Sequence, residues 1–171
     1  MPITPSFQFV SKLPTDSALY ALYGGTGRSQ HVAYVGLSGN LRSRIRQHFL
    51  RRDSSIVTGT SAASLNPDLI TRLEWWLSEK FEDRDYLQAA ELIAFDRFEP
   101  ALRSRGRITS EAEALAETTE VVEEIESLLE AGPTGTVDIP TLSDALSRIE
   151  RLEGRIDQLE QKLEAIRDER S

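Results

Sequence analysis

Two runs rich in apolar and aromatic residues, 18–23 (Ala-Leu-Tyr-Ala-Leu-Tyr) and 31–36 (His-Val-Ala-Tyr-Val-Gly), predict two short strands. The turn-forming stretch from Gly24 to Gln30 joins them as a hairpin. From Ser38 the pattern changes. Asn40 suits a helix N-cap and Leu41, Ile45 and Phe49 recur every four residues, which predicts a helix of about three turns running to roughly Arg51. Residues 53–68 are small and polar without a period, and predict a long loop. Residues 69–77 predict a third strand with Thr71, Leu73, Trp75 and Leu77 on one face. Trp75 is then expected in the core, and Trp76 either on the surface or against a ligand. A second helix is predicted from about Asp85 to Phe98, capped by Asp83 and stopped by Pro100.

After Arg107 the chain becomes Glu-rich and predicts one helix over about 109–130, ended by Ala131-Gly132-Pro133-Thr134-Gly135. Heptads follow, with Leu142, Ile149, Ile156 and Leu163 at one core position and Ala145, Leu152, Leu159 and Ile166 at the other. Across a parallel partner the flanking positions pair Arg148 with Glu153 and Arg155 with Glu160. The segment is expected to be a coiled coil joining two copies as a parallel homodimer; a solitary amphipathic helix folded back on its own domain is the other reading. The organisation expected is a domain over 1–107, an acidic helix over 108–131, a linker over 132–140 and a coiled coil over 141–171.

Charge sharpens this division. Residues 1–107 hold 14 Lys+Arg against 11 Asp+Glu, and residues 108–171 hold 6 against 17, so the overall −8 hides a basic first part and a strongly acidic second. A basic footprint on one domain matters more for phosphate contact than the whole-chain value. The chain has no cysteine, which removes disulfides, thiolate zinc sites and cysteine nucleophiles. No run of about 18 apolar residues suggests a membrane span, and no signal peptide is recognised at the N-terminus, so a cytoplasmic protein is expected.

Candidate chemistry lies in the first part. Ala18-Leu19-Tyr20, then Tyr34-Val35-Gly36, then Asn40 to Arg44 with His48, then Glu91 ahead of Pro100, together resemble the GIY-YIG nuclease family. In that family an arginine lies ten residues after the second-motif tyrosine and a glutamate nine before a proline; Arg44 and Glu91 match both. His48 matches a histidine found four residues after the arginine in part of the family. The resemblance covers roughly residues 15–106. Ala18 replaces the opening glycine, and Arg103 stands where the family usually carries a supporting asparagine. What the resemblance implies is an α+β fold, a small, mainly antiparallel three-stranded sheet flanked by helices, and metal-dependent hydrolysis of DNA phosphodiester bonds.

The residues support that chemistry on their own terms. On the first helix Arg44 and His48 fall along one edge of the Leu41/Ile45/Phe49 stripe and Arg42 and Arg46 along the other. On the second helix Glu91 falls within the arc of Leu87, Ala94 and Phe98, so a carboxylate faces the core. Such a group needs compensation, either an arginine or a hard divalent cation such as Mg2+ (or Mn2+). A metal on Glu91 polarises the phosphate while Arg44 offsets charge in the transition state; Tyr20, Tyr34 and His48 are the candidate bases. Arg28, Arg42, Arg46, Arg51 and Arg52 suit phosphate contact without sequence choice. The glycine-rich run 24–29 lacks the spacing and lysine of a phosphate loop and reads as a turn. The function expected is a divalent-metal-dependent endonuclease, dimerised through its coiled coil or recruited by it to a targeting protein. The rival is an inactive nucleic-acid-binding or protein-interaction adaptor on the same fold.

Overall fold

The computed structural model describes residues 7–58, 64–102 and 106–169. Its centre is a four-stranded antiparallel sheet of order β2-β1-β3-β4. Strands β1 (Ala18–Gly24) and β2 (His31–Ser38) form the expected hairpin, and β3 (Ile70–Leu77) lies on the other side of β1. The fourth strand, β4 (Gly135–Asp138), was not expected: it forms within the stretch read as a linker, and pairs with β3 from Arg72↔Asp138 to Trp75↔Gly135. Gly135 permits this approach, because a Cβ there would enter the Trp75 indole.

Both faces of the sheet are covered, which is why β1 is apolar throughout rather than alternating. On one face Tyr20, Leu22 and Leu73 pack with Leu41, Ile45 and Phe49. On the other Leu19, Ala21 and Trp76 pack with Leu87, Ala90 and Ala94 of α3 (Arg84–Phe98). Trp76 is therefore fully buried rather than on the surface, and Trp75, on the opposite face, is only half-buried.

The first helix departs from the expected three α-turns. It begins as α1 (Leu41–Arg46), capped by Asn40 Oδ1 accepting from Ser43 N at 2.9 Å, then widens into a π-helical turn over Gln47–Arg51. Arg52 in the left-handed region (φ 54°) ends it. The loop expected over 53–68 contains the short helix α2 (Ser55–Thr58) and a 3-10 turn (Pro67–Leu69), with 59–63 outside the described residues.

α3 is capped as its sequence predicts, Asp83 Oδ1 accepting from Asp85 N and Tyr86 N, and ends before Pro100. Just past it, Ala101 N and Leu102 N donate to the carbonyls of Val32 and Ala33 and cover the open edge of β2. The acidic segment is two helices, α4 (Ser110–Ala116) and α5 (Thr119–Glu130), not one; Thr118 sits in extended geometry between them. The break lets Ile125 and Leu129 join the core above α3.

α6 (Leu142–Glu169) is one long helix. Ile149 is half-buried, whereas Leu152, Ile156, Leu159, Leu163 and Ile166 are exposed; the Leu142 side chain lies outside those described. Among the described residues no helix is long and apolar enough to cross a membrane.

Candidate active site

Residues from four elements meet at a cleft of about 280 Å3 beside β2. Tyr34 and Leu37 come from β2, Arg44 and His48 from the first helix, Ile56 from α2, and Arg84, Gln88 and Glu91 from α3, with 106–108 completing the rim. Glu91, 3 % exposed, is a buried carboxylate on the α3 face turned towards this cleft. Tyr20 lies directly behind, 1 % exposed.

The phenols and imidazole form a compact group. The rings of Tyr20, Tyr34 and His48 lie with centroids 5.9–6.2 Å apart. Tyr20 OH is 2.7 Å from His48 Nε2, and His48 Nδ1 is 2.7 Å from Ser54 Oγ. The π-helical turn has displaced His48 from the helix edge, where an α-helical register puts it, into the interior at 1 % exposure. π-turns are frequent at functional sites because they re-aim a side chain in this way. Gly36 completes the packing: a Cβ there would lie 2.6 Å from Tyr34 Cε1 and 2.7 Å from Tyr20 OH.

Each titratable group responds to this enclosure. Burial, seconded by the positive charge of Arg44, depresses the His48 pKa to about 3, so the ring is neutral. Burial pushes the Tyr34 hydroxyl up to about 12, and the Glu91 carboxylate pushes the same way, while Arg44 and the hydrogen bond with Tyr20 pull it down. Tyr20 is raised well above 10, chiefly by burial and then by Tyr34. Arg44 and Glu91 thus act with opposite sign on the same pair of phenols.

Of the residues singled out in the sequence, Tyr34, Arg44, His48 and Glu91 border the one cleft, with Tyr20 behind it. The five arginines expected to meet phosphate do not border it. Arg42 Nε donates to the Leu13 carbonyl at 2.7 Å, Arg52 pairs with Asp68, and Arg51 lies 3.7 Å from Asp53. Arg46 is exposed on the first helix and Arg28 on the hairpin turn. Arg103 lies outside the described residues. Sequence reasoning missed Ser54, Arg84, Gln88 and Arg107; the spacing of Arg84, Gln88 and Glu91 at i, i+4 and i+7 was the available signal for the three on α3. No family model, curated protein or solved structure matches the chain.

Proposed function

We propose that the chain is a GIY-YIG-type endonuclease that hydrolyses phosphodiester bonds in DNA with Mg2+ (or Mn2+). The observation that carries this reading is the convergence of Tyr34, Arg44, His48 and Glu91 on a single cleft. A phenol, a guanidinium and a buried carboxylate in one electrostatic neighbourhood suit phosphodiester hydrolysis, supplying a base, a charge stabiliser and a metal ligand.

A divalent metal fits the donor chemistry of the cleft. Glu91 offers one hard carboxylate, and the described residues contain no cluster of three or more His, Asp or Glu suited to an all-protein cage. Mg2+ commonly takes one or two carboxylates and completes its shell with water and phosphate oxygens. Held by Glu91, such a cation would supply stabilisation of the negative charge that develops on the phosphate.

The chain's own groups do the rest. Arg44 balances the extra negative charge as water bonds to phosphorus and the bond to the 3′ oxygen breaks. Tyr34 takes the proton of the attacking water. It borders the cleft, and its phenolate is favoured by Arg44 and by a hydrogen bond from Tyr20. After burial, the Glu91 carboxylate is the largest influence holding the Tyr34 pKa up, and a cation held there would oppose it. His48 is a positioning residue here, since both of its ring nitrogens already have partners. When Tyr20 gives its single proton to Tyr34, His48 Nε2 must donate to the Tyr20 oxygen, leaving Nδ1 to accept from Ser54.

The exposed apolar stripe of α6 joins two copies in a parallel coiled coil, with Arg148 facing Glu153 and Arg155 facing Glu160 of the second copy. Plasmid nicking with Mg2+ or Mn2+ tests the enzyme. Wild type is expected to nick, with Glu91→Ala and Arg44→Ala slower by about 100-fold or more. A wild type that binds DNA but cuts no substrate form establishes the adaptor instead.

A further inference from the structure

The cleft has a second cationic lip that the catalytic reading does not use. Arg84, Gln88 and Glu91 share one face of α3, and a rise of about 1.5 Å per residue puts Arg84 roughly 10 Å along the helix from Glu91. Arg107 reaches the same cleft from the segment after α3. That segment is tied down by a side chain only 3 % exposed: Gln88 Nε2 donates to the Arg107 carbonyl at 3.4 Å, and Gln88 Oε1 accepts from Thr109 N at 3.1 Å. Thr109 Oγ1 also donates to Asp85 Oδ1 at 2.6 Å, fixing the strap to the first turn of α3. Both guanidinium groups are exposed, and among the described residues neither makes an ion pair. Arg51 and Arg52, by contrast, are each engaged with an aspartate.

Resting on the nuclease reading above, we propose that Arg84 and Arg107 bind backbone phosphates flanking the scissile one, with Gln88 as the buried clamp that holds Arg107 in place. A nucleic-acid strand advances about 3.4 Å per nucleotide. A lip roughly 10 Å from Glu91 therefore meets phosphates a few nucleotides away, while Arg44 stays at the reacting one. These contacts set affinity and register along the strand and carry no base preference.

The test is binding of a fluorescein-labelled DNA duplex by the full chain in EDTA across a salt series, followed by cleavage kinetics with Mg2+. Arg84→Ala and Arg107→Ala are expected each to weaken binding about tenfold and to lower the salt slope by about 0.9, with kcat near that of wild type and KM raised. Arg97→Ala, which removes one cation from the last turn of α3, away from the cleft lining, is expected to leave both unchanged. Gln88→Leu is expected to reproduce the Arg107→Ala binding defect with the fold intact by circular dichroism. Equal losses in all three arginine variants mean a general charge effect and overturn the proposal. So does wild-type affinity in Arg84→Ala and Arg107→Ala while wild type still binds and cuts. A wild type that neither binds nor cuts overturns the nuclease reading together with it.

Discussion

Tyr20 OH and His48 Nε2 lie 2.7 Å apart in the interior, and the far ring nitrogen of His48 is held by Ser54. A buried polar chain of this kind is stable only when every member is satisfied, so its ends are as consequential as its middle. Ser54→Ala is expected to cost about 1 kcal/mol of stability and to slow DNA cleavage while leaving DNA affinity unchanged. Tyr20→Phe, which removes the hydroxyl that meets His48 beside the Tyr34 ring, is expected to slow cleavage by about 100-fold. Single-turnover cleavage and urea unfolding, run side by side, check both.

His48 makes stability depend on pH in a definite direction. Its folded pKa of about 3 lies below the ordinary 6.5. Above 6.5 the ring is neutral in both states. As pH falls below that value only the unfolded chain takes up the proton, so stability declines, by up to about 1.4 kcal/mol per pH unit. His48→Gln is expected to be less stable at neutral pH but to lose this slope. Urea midpoints from neutral pH down to where carboxylates begin to protonate show whether wild type and variant differ in slope.

The tyrosines should ionise late. Burial is the first cause raising Tyr20, Tyr23, Tyr34 and Tyr86, with Glu74 adding to Tyr23 and Glu124 to Tyr86. These are all 4 tyrosines of the chain. Tyrosinate absorbance of the folded protein is expected to show no step near 10, whereas the urea-unfolded chain titrates at about 10. Stability is correspondingly full below 10 and falls as the pH rises beyond it. A folded protein in which one tyrosine ionises near 10 contradicts this account.

Gly36→Ala places a methyl group 2.6 Å from Tyr34 and 2.7 Å from Tyr20. Both rings must move, at a cost of about 1–3 kcal/mol. Cleavage is expected to fall with them, and ordinary stability and activity in this variant would falsify the packing described.

On α6, Ile156→Glu with Leu159→Glu is expected to convert the proposed coiled-coil dimer into a monomer whose globular part melts as before, because both side chains are exposed within one copy. Sedimentation velocity decides it, and a wild type that sediments as a monomer rules out the coiled-coil dimer.

Much of the sheet and the cleft could be read from the chain, since Asn40, Asp83 and Pro100 mark helix ends by local chemistry and the hairpin is contiguous. What could not be read depends on distant partners. Gly135–Asp138 looks like a linker because a four-residue strand with two polar positions has no period to detect, and its partner β3 lies more than 50 residues earlier. Trp76 could not be placed because strand alternation assumes one wet face, and this sheet has none to spare. The depth of His48 follows from a π-turn, and a 3.6-residue period cannot reveal it. That the five arginines lie away from the cleft could not be read either: composition shows how many cations exist, not where each lies or which are bonded to Asp68 or to the Leu13 carbonyl.

The pairing of β4 on β3 also fixes how far the molecule can be trimmed. A chain stopped after α5 leaves the hydrogen-bonding groups of Arg72 to Trp75 facing water, with a bare indole beside them. Such fragments are prone to stack edge to edge into aggregates. The smallest unit that keeps this edge paired therefore extends to Ile139, whose N–H closes on the Thr71 carbonyl, and the acidic stretch between is part of the globular body.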